Sequence, residues 1–145
     1  DSYGSRGLGD VYKRQMVPIS RLATVGGVPV TDLINPDRLK EIEDRTRVAG
    51  GEIVKLFGNG SAFYAPAQSA IEMAESFLRD KKRVIPCASL CEGEFGIDGY
   101  FIGVPTVIGS GGVEKILEFT LDDNEKNELK KTLEAVKHTV AETGL

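Results

Sequence analysis

The sequence predicts an α+β fold, with long helices packed on an antiparallel sheet of about three strands. Two observations carry this. Apolar residues recur at helical spacing in three segments, around 39–56, 67–78 and 129–140. Between the second and third lie three strand-like runs, 83–90, 100–108 and 113–119, joined by short glycine-rich connections. Connections this short favour an antiparallel meander, because a parallel crossover needs about a dozen residues. The order helix, helix, three strands, helix places the helices against one sheet.

Taken in order, residues 1–15 stand apart. They hold three glycines, three basic residues and no apolar periodicity. The order Asp10 to Gln15 back-translates to the end of a common transposase sequencing adapter, so the segment reads as an artefact or a disordered tail, outside the fold. Val25, Val28 and Val30, with Pro29 between them, suggest short extended pieces and turns. Asn35 can cap a helix whose first position is Pro36. Leu39, Ile42, Thr46, Ala49, Ile53 and Leu56 then form one stripe at spacings of 3, 4, 3, 4 and 3. The charged residues from Lys40 to Arg47 read as the solvated side. Gly50 and Gly51 fall inside this helix at a cost of about 1 kcal/mol each, so a kink or a close backbone contact is expected there.

Gly58 to Asp80 reads as a loop turning sharply into a helix. Pro66 suits the first helical turn, and Ala67, Ile71, Ala74 and Leu78 supply the apparent buried stripe. Read from the residues alone, the loop is either a tight turn before a buried helix or a small polar surface pressed against a ligand. Arg83 to Leu90 reads as a strand that Pro86 confines to an edge or a bulge. Glu92 to Gly99 reads as a turn and Tyr100 to Ile108 as the strongest strand. Gly109 to Gly112 reads as a hairpin turn and Val113 to Phe119 as the third strand. Asp122 and Glu125 form a capping box for a last helix, with Leu129, Leu133, Val136 and Val140 as its stripe.

Composition excludes several classes. The chain has 145 residues, 41% of them hydrophobic and 28% charged, which suits one domain with a modest core. Its net charge of −4 offers no broad basic surface for nucleic acid. No apolar run approaches the ~20 residues of a membrane span, and no secretory leader is visible. Cys87 and Cys91 would lie about 13 Å apart in a strand, too far for a disulfide. Reduced thiols of this kind fit a cytoplasmic protein. One histidine and two cysteines make no metal site. Gly109 to Lys115 lacks both the dinucleotide and the phosphate-loop patterns. His138, among polar residues of the last helix, reads as a surface side chain, and Glu92 and Glu94 are unburied carboxylates in a turn.

The wording of the sequence goes further. The matching stretches are Met16 to Pro18, Ala23 to Val30, Arg45 to Arg47 and Gly50 to Val54. They continue through Gly60-Ser61-Ala62-Phe63-Tyr64-Ala65-Pro66-Ala67, Ala70 to Leu78, Lys81 to Cys87, Glu92 to Gly96, Gly103 to Gly109 and Gly111 to Ile116. In these, and over about 130 collinear residues, the chain resembles the C-terminal half of the lactate/malate dehydrogenase family. Within it, the wording is nearest the malate dehydrogenases that are similar to lactate dehydrogenase. The resemblance implies a C-terminal substrate domain over 16–145, without its N-terminal Rossmann domain. The family's reaction is oxidation of malate to oxaloacetate with NAD as hydride acceptor. A histidine in a Gly-Gly-His-Gly-Asp segment takes the hydroxyl proton, an aspartate orients it and arginines clamp the carboxylates. That segment stands just before the Met-Val-Pro matched by Met16 to Pro18, and here Tyr12 to Gln15 occupies its place. The resemblance therefore implies that this polypeptide lacks the catalytic residues, does not bind NAD and is inactive alone. It carries Gly60, Ser61 and Ala62 over as substrate-side wall residues and Pro66 as a position near the nicotinamide. Relatives form dimers or tetramers, so a homo-oligomer is expected of the complete protein. The alternatives are a lactate dehydrogenase domain and a non-catalytic association module.

Overall fold

The computed structural model describes residues 16–58 and 62–144. Its centre is a three-stranded antiparallel sheet of β3 (Arg83–Glu92), β4 (Asp98–Gly109) and β5 (Gly112–Ile116), in the order β3-β4-β5. Pro86 therefore sits on an edge strand, as its missing N–H requires, opposite Pro105. The β3–β4 turn is a short helical turn at Glu94–Gly96 with positive φ at Gly93, Phe95 and Gly96. The amide of Phe95 is held there by the Glu118 carboxylate at 2.7 Å. The chain reverses again at Ser110 and Gly111, so the meander and its turns lie where the glycines place them.

Side chains alternate across the sheet. Ile102, Val104, Thr106 and Ile108 of β4 are buried on one face. Their cross-strand neighbours on β3 include Ser89 and Cys91, and the Ser89 and Thr106 hydroxyls bond to one another at 2.9 Å. Leu121 and Leu129, with Leu133 and Val136 partly buried, complete a core with Ile97, Ile102 and Val104. Leu129, Leu133 and Val136 come from α4 (Asp123–Thr143), which starts in a reciprocal capping box. Asp122 accepts from the amide of Glu125 and Glu125 from that of Asp122, both at 2.8 Å. Val140, the last residue of the expected stripe, is exposed. The opposite face of the sheet is open: Leu90 and Phe101, register partners, are both exposed.

The first described residues belong to this core. Val17 is buried in it and Ile19 packs against it. After a turn at Ser20–Leu22 the chain forms a two-residue hairpin, β1 (Thr24–Val25) with β2 (Val28–Pro29), and a single helical turn α1 (Val30–Leu33). Val30 is thus helical and not extended, because Pro29 opens the turn in the conformation of an N-cap. Arg21 reaches across to α4, where Nε and Nη2 bond the two oxygens of Glu125 at 2.8 and 2.9 Å. Arg21 also donates to the carbonyl of Thr120 and lies over the Phe119 ring.

Helix α2 (Pro36–Phe57) begins as its sequence dictates, with Asn35 accepting from the amide of Asp37 at 2.9 Å and Pro36 first. It buries no residue. Leu39, Thr46 and Ala49 are half-buried, while Ile42, Ile53 and Leu56 are exposed. A hydrogen bond from Ser20 to Glu43 ties it to the rest. The helix runs unbroken through Gly50 and Gly51, and no described atom lies within 4 Å of a Cβ built at either. The close contact expected at these glycines is therefore absent from the described residues. With room on that side, Gly50→Ala and Gly51→Ala are each expected to raise the stability of the isolated chain by roughly 0.5–1 kcal/mol in a urea titration. A loss of stability would show that something packs there.

Candidate functional site

Helix α3 (Tyr64–Leu78) carries Pro66, and Ala62 stands just ahead of it. Pro66 is its third residue, within the first turn where proline is tolerated. Ala62 precedes the helix and is half-buried, whereas Phe63, Tyr64, Pro66 and Ala67 are exposed. Gly60 and Ser61 lie outside the described residues. Among the described residues the first turn has no side-chain cap and no acidic residue, so no described side chain offsets its free N–H groups and the positive end of the helix dipole. Small side chains at Ala62, Ala65 and Ala67 leave that end uncrowded.

Phe57 at the end of α2, Phe63 and Tyr64 gather around the same loop. The ring centroids are 6.0 Å apart for Phe57 and Phe63, 5.9 Å for Phe57 and Tyr64, and 4.6 Å for Phe63 and Tyr64. Contacts of this geometry each contribute about 0.5–1.5 kcal/mol, and they tie the end of α2 to the start of α3. The sequence offered no periodic signal for this cluster, since Phe57 ends α2 and Phe63 stands just before α3.

The face that α3 turns inward differs from expectation. Ala67, Ile71, Ala74 and Leu78 are all exposed, Ile71 by 61% and Leu78 by 78%. Ala65, Ser69, Met73 and Ser76, at spacings of 4, 4 and 3, form the inner line, and α3 packs against β4. Small residues suit that line, because a helix approaches a sheet closely only when its facing side chains are short. The one buried residue of α3 is Ser76. At its C-terminal end α3 is heavily tied. Glu75 meets Lys81 at 2.7 Å, Arg79 at 2.9 Å and Arg83 at 3.6 Å. The Lys81 hydrogen bond, then the surrounding positive charges, hold the Glu75 carboxyl below its usual range. Asp80, at positive φ, accepts the amide of Ser110 at 2.9 Å, which holds its carboxyl low as well.

The other candidates are structural. His138 is exposed, 3.5 Å from Glu142. Glu94 accepts the backbone amide of Glu92 at 2.7 Å, which shapes the turn. Cys87 and Cys91 are free thiols, and burial pushes the Cys91 thiol up, away from reactivity. Among the described residues no group of three potential metal ligands occurs, and no helix is long and apolar enough to cross a membrane.

The family model of the lactate/malate dehydrogenase α/β C-terminal domain matches residues 14–144. Malate dehydrogenase 1 of Anaeromyxobacter dehalogenans is 58% identical over 130 residues, 90% of this chain and 42% of that protein. The malate dehydrogenase of Myxococcus xanthus is 58% identical over 125 residues, 86% of this chain and 40% of its own length. Among solved structures, malate dehydrogenase from Salinibacter ruber superposes with a TM-score of 0.87 at 47% identity, over 97% of this chain and 44% of that one. Lactate dehydrogenase from Eimeria maxima, solved with NADH and oxamate, gives 0.89 at 37% identity, over 94% and 44%. The chain thus spans roughly two-fifths of the length of the curated relatives it matches. The fold, its boundaries and its wording agree: this chain belongs to the lactate/malate dehydrogenase family, whose α/β C-terminal domain it carries.

Proposed function

We propose that residues 16–144 are the substrate-side domain of an NAD-dependent malate dehydrogenase, and that the 145-residue polypeptide made alone is inactive. The observation that supports this most is the 58% identity to two malate dehydrogenases over nearly the whole chain. That both of these 58% relatives are malate dehydrogenases favours malate over lactate. In the complete enzyme, Gly60, Ser61 and Ala62 border the substrate and Pro66 borders the nicotinamide. The uncrowded, acid-free first turn of α3 fits that role: a carboxylate is welcome at an uncompensated helix start, and an exposed proline beside alanines offers an apolar edge to a flat ring. These residues fit one wall only, so NAD is held mainly by the part of the relatives' length that this match does not cover. NAD bound there would supply the hydride acceptor. This domain's contribution is to orient the substrate and to exclude water from one side. The complete protein is read as a cytoplasmic dimer or tetramer.

The test is to join this chain to the N-terminal portion of the Anaeromyxobacter relative. The fused protein is expected to oxidise malate with NAD, and lactate at least about 100-fold less efficiently. The isolated chain should give no rate above a blank, because without the hydride acceptor and general base the reaction is not merely slowed. A fused enzyme that prefers lactate would establish the alternative substrate.

A further inference from the structure

From the anchoring of α3 we infer that Ser76 is a positioning residue: it fixes the helix whose far end carries Ala62 and Pro66, and so sets how tightly the substrate is held. The inference rests on the dehydrogenase reading for its kinetic consequence, though not for its structural one. Among the described residues helix α3 has no side-chain cap at its N-terminal end, and Ser76 is its one buried residue. Met73, half-buried, is the large apolar side chain on the inner line with Ala65 and Ser69, while Ile71, Phe77 and Leu78 are exposed. The hydrogen bonds that tie α3 to the sheet lie at its C-terminal end. The Ser76 hydroxyl, fully buried, donates to the carbonyl of Ile108 at 2.6 Å and accepts from the amide of Arg83 at 3.1 Å. Arg83 and Ile108 are register partners at the first rung of the β3–β4 ladder. The hydroxyl therefore relays between the two strands and ties the helix to both. Pro66 lies about 15 Å away along the axis, so α3 is a lever held at its C-terminal end and loaded at its N-terminal end. The ion pairs of Glu75 and the bond of Asp80 to the Ser110 amide steady the same end at the surface, where solvent weakens them. The Ser76 bonds are dry.

Two measurements on Ser76→Ala decide the matter. In the chain as it stands, amide exchange at Ala67 to Ala70 is expected to quicken at least roughly tenfold, with exchange in α4 unchanged. In the fused enzyme, KM for malate is expected to rise about tenfold or more, with KM for NAD and the melting temperature of the N-terminal portion little altered. A residue with only a structural role would loosen α3 and α4 together, or lower the melting temperature with both KM values intact; either result overturns the inference. If Ser76→Ala does not fold, Ser76→Cys, near in size but a weak donor, is measured the same way and held to the same outcomes. If the wild-type fused protein is inactive, the dehydrogenase reading fails, while the exchange comparison still decides whether Ser76 positions the first turns of α3.

Discussion

Glu125→Ala is expected to lower the unfolding free energy of the chain by about 3 kcal/mol, read from denaturant midpoints. The carboxylate is 8% exposed and serves three donors: the amide of Asp122, and Nε and Nη2 of Arg21. Loss of the reciprocal cap accounts for about 1 kcal/mol. Loss of hydrogen bonds to a charged partner adds about 1.5–3 kcal/mol. The Arg21 side chain would keep its place over Phe119 but lose its counter-charge. Asp122→Ala is the control, since it breaks the cap and leaves Arg21 paired; it should cost about 1 kcal/mol. Glu125→Gln should fall between, keeping an acceptor for the Asp122 amide while losing the charge. In a domain of total stability about 5–15 kcal/mol, the difference between 3 and 1 separates a marginal chain from a folded one. If Glu125→Ala costs no more than Asp122→Ala, the Arg21–Glu125 contact contributes nothing and the N-terminal strip is held by the packing of Val17 and Ile19.

The contrast between those two partners shows what a sequence discloses. The cap at Asp122 and Glu125 and the start at Asn35 and Pro36 were legible because each depends on residues within three positions of one another. The hairpin at Gly109 to Gly112 was legible for the same reason. The pairing of Arg21 with Glu125 spans 104 positions, and no local pattern announces it. Ser76 was missed for a related reason: a serine inside a helix pattern carries no sign of the two backbone groups it bridges. The α3 stripe was misread because Ile71 and Leu78 fall at helical spacing with two alanines and were assigned to the core, whereas the two serines of the inner line carry no apolar signal. Here the bulky face points outward and the small one meets the sheet. At the site, only the collinear wording of Gly60 to Ala67 pointed to a ligand; spacing alone allowed a plain turn.

Purified alone, the chain is expected to bind a hydrophobic dye strongly and to associate without limit as its concentration rises, and the fused enzyme to bind little dye and stop at a defined oligomer. Among the described residues eight apolar side chains are buried and twenty large ones are exposed. Single exposed apolar residues are ordinary, but these share faces. Ile71 and Leu78 line one side of α3, Ile42, Ile53 and Leu56 one side of α2, and Phe57, Phe63 and Tyr64 the loop between them. Leu90 and Phe101 face each other across the open side of the sheet. Burying a side chain of this size is worth about 1.5–3 kcal/mol, so a surface with many of them in contiguous faces finds a partner. In the complete enzyme we assign that partner to the nucleotide-binding portion and to a second subunit. The double variant Ile71→Lys with Leu78→Lys separates cause from coincidence. It should suppress dye binding and association of the isolated chain, because the charges leave the inner line of α3 untouched. In the fused enzyme the same change should destabilise the assembly, since two ammonium groups would be forced into an apolar contact. A wild-type chain that stays monomeric and ignores the dye would mean that these faces form no coherent patch, and that the domain is built to stand by itself.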